Sequence, residues 1–131
     1  MGSDGRSPSI GVFICDDARE LRELLERSLA STPGVEVVGL ADNGLDGLAG
    51  IRATQPDVVI LDLSMPGMDG LEVLRGIPAA APAARVIVFS GLKAERLAPQ
   101  TRRLGAWRYI EKGTALRDLE AAIREAAATT G

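Results

Sequence analysis

Residues 57–70 read DVVILDLSMPGMDG and contain the most strongly β-like run of the chain, followed by a loop. Apolar residues follow one another continuously within Asp57 to Leu63 instead of alternating, which is typical of a strand buried on both faces of a parallel sheet. Asp62 stands at the end of this run, and the segment Ser64 to Gly70 is a loop by composition. The stretch therefore predicts a central strand that ends in a carboxylate.

The sequence on either side repeats the order of strand and helix. Short apolar runs predict four more strands, at Ile10 to Cys15, Val35 to Leu40, Arg85 to Phe89 and Trp107 to Ile110. Leucine, isoleucine and alanine residues at helical spacing follow each strand, and the two prolines in Pro78 to Pro82 predict the end of the third helix. Five strand-helix units with short connections predict an α/β fold, a parallel sheet covered by helices on both faces.

Composition limits the class of protein. The chain has 131 residues, 46% of them hydrophobic and 25% charged, which predicts one domain over residues 10–128. Residues 1–9 are polar and lack the apolar core of a signal peptide, and we interpret them as a disordered lead or a remnant of cloning. The single cysteine and the lack of a membrane-length apolar run predict a cytoplasmic protein without membrane contact.

Charge and residue content exclude several mechanisms. The net charge of −3 argues against direct nucleic-acid binding through a strongly basic surface. The chain contains no histidine, so mechanisms that need a histidine base, metal ligand or phosphohistidine are excluded.

Polar side chains stand where the predicted strands end, and these ends meet at one edge of a parallel sheet. They are the carboxylates of Asp16, Asp17 and Asp62, the hydroxyl of Ser90 and the ammonium of Lys112. Converging carboxylates repel one another, and a hard cation such as Mg²⁺ relieves that repulsion. A lysine nearby suits a phosphoryl oxygen, and a carboxylate can itself be the nucleophile in phosphoryl transfer. The pattern therefore favours phosphoryl chemistry at this edge.

These residues carry a resemblance to a known family. Asp16-Asp17, the segment Asp62 to Gly70 (DLSMPGMDG), Ser90, and Tyr109 with Lys112 resemble the receiver domain of two-component response regulators, over about Ile10 to Ala128. The resemblance implies a flavodoxin-like, doubly wound (βα)5 fold with strand order 2-1-3-4-5.

The resemblance also implies residue roles. Asp62 would be the phosphoacceptor, and Lys112 would contact the phosphoryl group. Asp17 and Asp62 would bind Mg²⁺ directly with the backbone carbonyl of Ser64, and Asp16 would act partly through water. Ser90 and Tyr109 would form the switch.

The implied function is a phosphorelay receiver that supports its own phosphorylation and dephosphorylation without being a stand-alone enzyme. Its partner would be a sensor histidine kinase or a histidine phosphotransfer protein. The face built from the fourth helix, fifth strand and fifth helix would serve output or homodimerisation. One departure concerns Gly113, which stands where the family usually has a proline after the lysine, and we expect a looser loop there.

Other readings stay open at this point. A nucleotide-binding enzyme would need a glycine-rich turn after the first strand, where this chain has Asp-Asp-Ala-Arg. A phosphatase with a carboxylate nucleophile would need a lid and a second acid, and a receiver-like binding module would never be phosphorylated. Asp17 could also serve only as the N-cap of the first helix. Because the sequence ends at Gly131, we expect either a single-domain receiver or a fragment of a longer regulator.

Overall fold

The computed structural model describes residues 9–65 and 67–128. Strands and helices alternate strictly along the chain. They are β1 (Ile10–Cys15), α1 (Arg19–Ala30), β2 (Val35–Ala41), α2 (Gly44–Thr54), β3 (Val58–Leu61), α3 (Gly70–Ala80), β4 (Arg85–Ser90), α4 (Ala94–Arg103), β5 (Ala106–Glu111) and α5 (Leu116–Ala128). This order confirms the predicted alternation of five strands and five helices.

The five strands form one parallel sheet in the order β2-β1-β3-β4-β5, as predicted. The central strand β3 is shorter than the sequence indicated, because Asp57 and Asp62 lie just outside its two ends. At the amino end, the Asp57 carboxylate accepts a hydrogen bond of 2.7 Å from the backbone N–H of Gly11. Both carboxylates thus leave the apolar strand where polar groups can meet them.

Alternate side chains of the strands build two cores, one on each face of the sheet. Phe13, Val59 and Val88 pack with residues of α2 and α3 on one face. Val12, Ile60 and Phe89 pack with residues of α1 and α5 on the other. Because side chains alternate across a strand, a continuous apolar run supplies both cores at once.

Helices α3 and α4 each contain a proline, a residue that usually breaks a helix. The prediction that the segment Pro78 to Pro82 ends the third helix is confirmed, since α3 ends at Ala80 within that segment, although the helix continues through Pro78 itself. Ile77 and Ala80 are buried, and the N–H of Ala81 still bonds to the carbonyl oxygen of Ile77 at 2.7 Å. Core packing at this turn outweighs the single hydrogen bond that a proline removes. Helix α4 likewise contains Pro99.

The interpretation of Asp17 as the N-cap of α1 is wrong. The N-cap is Ala18, which makes no side-chain cap, and the N–H of Ala18 donates instead to Oδ1 of Asp16 at 2.8 Å. This leaves the Asp17 carboxylate available for another role. The predicted disordered lead falls almost wholly on residues 1–8, which lie outside the described residues. Within the part of the chain that the structure describes, no helix is long and apolar enough to span a membrane.

Candidate functional site

Three carboxylates meet at the carboxyl edge of the sheet. Asp16 and Asp17 follow β1, Asp62 follows β3, and these two strands are hydrogen-bonded neighbours. One oxygen of each carboxylate lies within 4.8 Å of the others. Asp16 and Asp62 are buried and Asp17 is exposed, so the cluster opens to solvent on the Asp17 side.

Backbone contacts hold Asp16 firmly in this cluster. Its N–H donates to the carbonyl oxygen of Ala41 at 3.0 Å, and its own carbonyl oxygen accepts from the guanidinium of Arg22 at 2.8 Å. Its Oδ1 accepts from the N–H of Ala18. These contacts therefore also fix the position of the second carboxylate oxygen, Oδ2.

Hydrogen bonds to backbone groups also fix the position of Asp62. Its N–H donates to the carbonyl oxygen of Cys15 at 2.9 Å, and its Oδ1 accepts from the N–H of Ser64 at 3.2 Å. Burial raises the pKa of Asp62, and the negative charges of Asp16 and Asp17 raise it further. The Ser64 hydrogen bond and the Lys112 charge lower that pKa in part. A further positive charge close to Asp62 would therefore stabilise its ionised form.

Lys112 supplies the positive charge at this edge. Its Nζ lies 3.0 Å from Oδ2 of Asp16 and 3.6 Å from Oδ2 of Asp62. The side chain is 25% exposed, so it bridges the buried carboxylates and the solvent. The Lys112 ammonium thus contacts two of the three carboxylates and offsets part of their negative charge.

The residues fit a divalent cation. Among residues 9–65 and 67–128, no group makes a hydrogen bond of proper geometry to Oδ2 of Asp16, although the atom is buried. Lys112 contacts it only as an ion pair. A buried, under-satisfied carboxylate oxygen beside two more carboxylates is a donor set that suits Mg²⁺.

The hydroxyls of Ser90 and Tyr109 both hold one residue of the next loop, Leu92. Ser90 is fully buried, and its Oγ accepts from the N–H of Leu92 at 3.2 Å. The Tyr109 hydroxyl donates to the carbonyl oxygen of Leu92 at 2.8 Å. Partial burial and the charges of Glu111 and Asp62 raise the pKa of Tyr109, offset in part by the Ser90 hydroxyl. The two predicted switch residues are therefore both hydrogen-bonded to the backbone of Leu92.

The departure at Gly113 has a conformational reason. Gly113 has a φ of +103°, and a Cβ placed there would meet nothing within 4 Å. Proline is fixed near a φ of −65°, so it could not take this backbone conformation. The N–H of Lys112 nevertheless donates to the carbonyl oxygen of Ser90 at 2.8 Å, which anchors the lysine just before the glycine.

Sequence reasoning missed two residues that shape this edge. Arg22 holds the carbonyl of Asp16, and the Glu111 carboxylate accepts from the N–H of Ala94 at the start of α4 at 2.9 Å. The Glu111 contact joins residues 17 apart in sequence, and the Arg22 contact, although it spans only six residues, is not one of the regular helix or strand spacings. Cys15 is a core residue, and burial with the Asp16 charge raises the pKa of its thiol to about 12.

Comparisons with known proteins agree with this geometry. The family model of the response regulator receiver domain matches residues 12–124. A protein-glutamate methylesterase/protein-glutamine glutaminase of Myxococcus xanthus is 41% identical over 108 residues, which are 82% of this chain and 31% of that protein. The response regulator GacA of Pseudomonas aeruginosa is 36% identical over 116 residues, 88% of this chain and 54% of GacA. The chain thus spans a third to a half of these relatives.

Solved structures show the same architecture. The signal receiver domain of the response regulator NarL from Mycobacterium tuberculosis superposes with a TM-score of 0.88 at 31% identity, covering 94% of this chain and 99% of that one. The response regulator domain of Thermotoga maritima CheB gives a TM-score of 0.86 at 29% identity, with the same coverage.

Proposed function

We propose that Asp62 accepts the phosphoryl group in the phosphorelay function of this chain, which belongs to the family of response regulator receiver domains. The single observation that carries this assignment is the placement of Asp62. It is a buried carboxylate with a raised pKa, and it lies between two further carboxylates and the ammonium of Lys112.

In the proposed reaction an oxygen of Asp62 attacks phosphorus, and an O–P bond forms. The P–N bond to the donor's phosphohistidine breaks, and its electron pair stays on the imidazole nitrogen, which takes a proton. Ser64 positions the acceptor through its N–H, and Lys112 moves its charge from the carboxylates toward the phosphoryl oxygens. Phosphoryl transfer needs mainly such positioning and charge neutralisation.

Mg²⁺ is the cofactor that the donor set favours. Asp17 and Asp62 would hold it with the backbone carbonyl of Ser64, and Asp16 would act partly through water. When bound, the ion neutralises charge that develops on the transferring oxygens. The under-satisfied Oδ2 of Asp16 supports this part of the proposal.

The proposed donor is a sensor histidine kinase or a histidine phosphotransfer protein, because this chain has no histidine to carry the phosphoryl group. Ser90 and Tyr109 would respond to the phosphoryl group by releasing or re-forming their contacts with Leu92. The face made of α4, β5 and α5 would then change for output or homodimerisation. A cytoplasmic location belongs to the same proposal.

The chain is proposed as a phosphoacceptor domain and not as a stand-alone enzyme. A relative named a methylesterase matches it over 31% of that protein's length, and the matching part of this chain is the one that the receiver-domain model covers. The alternative, a receiver-like interaction module that is never phosphorylated, would leave the raised pKa of Asp62 and its neighbouring lysine without a chemical role.

Intact-protein mass spectrometry with Mg²⁺ and acetyl phosphate tests the proposal. We expect the wild-type chain to gain one phosphoryl group and Asp62→Asn to gain none. Asp69→Asn is the matched control, because asparagine keeps the cap that Asp69 makes at the N-terminus of α3. Chelation of Mg²⁺ should abolish the gain.

Two results would contradict this assignment. A phosphoryl group on Asp62→Asn would place the acceptor elsewhere. No gain in a folded wild-type chain, together with no Mg²⁺ binding, would leave the unphosphorylated interaction module as the function.

A further inference from the structure

Three side chains from β4 and β5 hold the β4–α4 loop (Gly91–Lys93) and the start of α4. Ser90 and Tyr109 bind the N–H and the carbonyl of Leu92, as described above. The third is Glu111, whose Oε2 accepts from the N–H of Ala94 at 2.9 Å. Glu111 thus holds the same short segment of backbone as the two proposed switch residues. No pattern in the sequence indicated this contact.

Helix α4 needs such a partner. The first N–H groups of a helix have no acceptor within the helix, and a local side chain usually supplies one. The N-cap of α4 is Lys93, which makes no side-chain cap and adds positive charge at the positive end of the helix dipole. The carboxylate of Glu111 supplies both the missing acceptor and a favourable charge.

Glu111 is also tied to the reacting end of the site. It pairs with Ser90 in the β4–β5 ladder, and its neighbour Lys112 donates its N–H to the carbonyl oxygen of Ser90. Lys112 in turn reaches Asp16 and Asp62 through its ammonium. One peptide unit therefore separates the group that senses the acceptor from the group that caps α4.

We propose that Glu111 is a positioning residue that couples Lys112 to helix α4. When Lys112 moves toward a phosphoryl group, the carboxylate of Glu111 carries that displacement to Ala94, so that α4 shifts as part of the output face. This inference rests on the proposed function, because it needs a phosphoryl group at Asp62 to move the lysine.

The variants separate a coupling role from a merely structural one. Glu111→Ala removes the acceptor, and Glu111→Gln retains an acceptor oxygen without the charge. Glu125→Ala is the matched control, because the Glu125 carboxylate lies on the same face but bonds to Arg108 at 2.9 Å. All three should be phosphorylated by acetyl phosphate within about twofold of the wild-type rate, since none of them changes a group that touches the acceptor.

The readout is the amide NMR spectrum of the first turn of α4, recorded with Mg²⁺ alone and then with the phosphoryl mimic beryllium trifluoride. In Glu111→Ala the Ala94 amide proton should lose its hydrogen-bonded shift, and exchange of the α4 amides should rise by about fivefold, as expected for a lost helix cap. The change that the mimic causes in α4 should shrink by at least about threefold. Glu111→Gln should recover most of both effects.

Two outcomes would overturn the coupling itself. They are an unaltered Ala94 amide in Glu111→Ala, and a response of α4 to the mimic that stays as large in Glu111→Ala as in the wild type. A failure of the proposed function looks different, because the wild-type chain would then show no response to the mimic at all, and the coupling would fail with it.

Discussion

The carboxyl edge of the sheet, where the candidate site lies, has two halves that are packed differently. The half formed by β1 and β3 is tight: a Cβ added at Gly70, at the start of α3, would overlap the backbone of Leu63 and come within 2.8 Å of the carbonyl oxygen of Asp62. The half formed by the β4–α4 loop and the loop after β5 is open, since a Cβ at Gly91 or Gly113 would meet nothing within 4 Å. Single side-chain hydrogen bonds hold that second half.

The difference agrees with the proposed roles of the two halves. The tight half keeps mutually repelling carboxylates at fixed distances, which an acceptor and a cation site both require. The open half can change its few contacts at small cost, which a switch requires. Four substitutions test whether the halves differ in this way.

The largest effect is expected for Gly70→Ala. The added methyl group would overlap the backbone between Asp62 and Leu63, so we expect a loss of about 3 kcal/mol in the free energy of unfolding, measured by urea denaturation. Gly91→Ala is the control in the open half and should stay within about 0.5 kcal/mol of the wild type. Helix propensity alone would make Gly70→Ala stabilising by up to about 1 kcal/mol. A stabilised variant would show that this half is not tight.

Lys112→Ala should have the next largest effect. Without the ammonium, the buried Asp16 and Asp62 carboxylates lose their positive partner, and we expect a loss of about 2 kcal/mol at pH 7 in the presence of a chelator. Added Mg²⁺ should restore part of that loss. Lys93→Ala removes an exposed lysine from the open half and should be nearly neutral. Equal losses in the two variants would contradict the pairing of Lys112 with the carboxylates of the tight half.

Asp62→Asn should stabilise the chain at neutral pH. The folded pKa of Asp62 is raised above its unfolded value, so the folded state binds this proton more tightly, and the group's contribution to stability is lost as pH rises through that window. Asparagine cannot ionise, so we expect it to gain about 1 kcal/mol at pH 7 without Mg²⁺.

The gain should disappear near pH 4, close to the unfolded pKa of about 3.9. Thermal melts of Asp62→Asn and of the exposed control Asp69→Asn across this pH range measure the difference. A gain that persists unchanged at low pH would rule out ionisation of Asp62, opposed by its burial and by the Asp16 and Asp17 charges, as its cause.

The smallest effect is expected for Tyr109→Phe. The variant loses one partly exposed hydrogen bond to Leu92, so we expect a cost of about 0.5 kcal/mol and faster amide exchange confined to the β4–α4 loop. Hydrogen exchange by mass spectrometry locates the change. A cost above about 2 kcal/mol would mean that this half is as tightly built as the other.

Much of this site could be predicted from the sequence, for a specific reason. Strands of one parallel sheet end at Ser90 or directly before the other site residues, and the carboxyl ends of such strands meet at one edge. The residues that follow a strand are Asp16, Asp17, Asp62 and Lys112. Their types and order then sufficed to predict an acidic cluster with a lysine, and the three carboxylates do lie together. The end of α3 falls within the predicted segment Pro78 to Pro82, but the passage of the helix through Pro78 was not predictable, because packing of Ile77 and Ala80 overrides the local preference of that proline.

The sequence by itself determined the alternation of elements, the two-faced core and the set of groups at the carboxyl edge of the sheet, because these follow from local patterns of period 2 and 3.6 and from chain order. Only the tertiary structure decided which groups pair. That Lys112 lies nearer to Asp16 than to Asp62 and that Glu111 caps α4 depend on contacts between distant segments. That Arg22 holds the carbonyl of Asp16 depends on how α1 packs against the end of β1. Such contacts are set by how helices and strands pack in space, and no spacing along the chain encodes them.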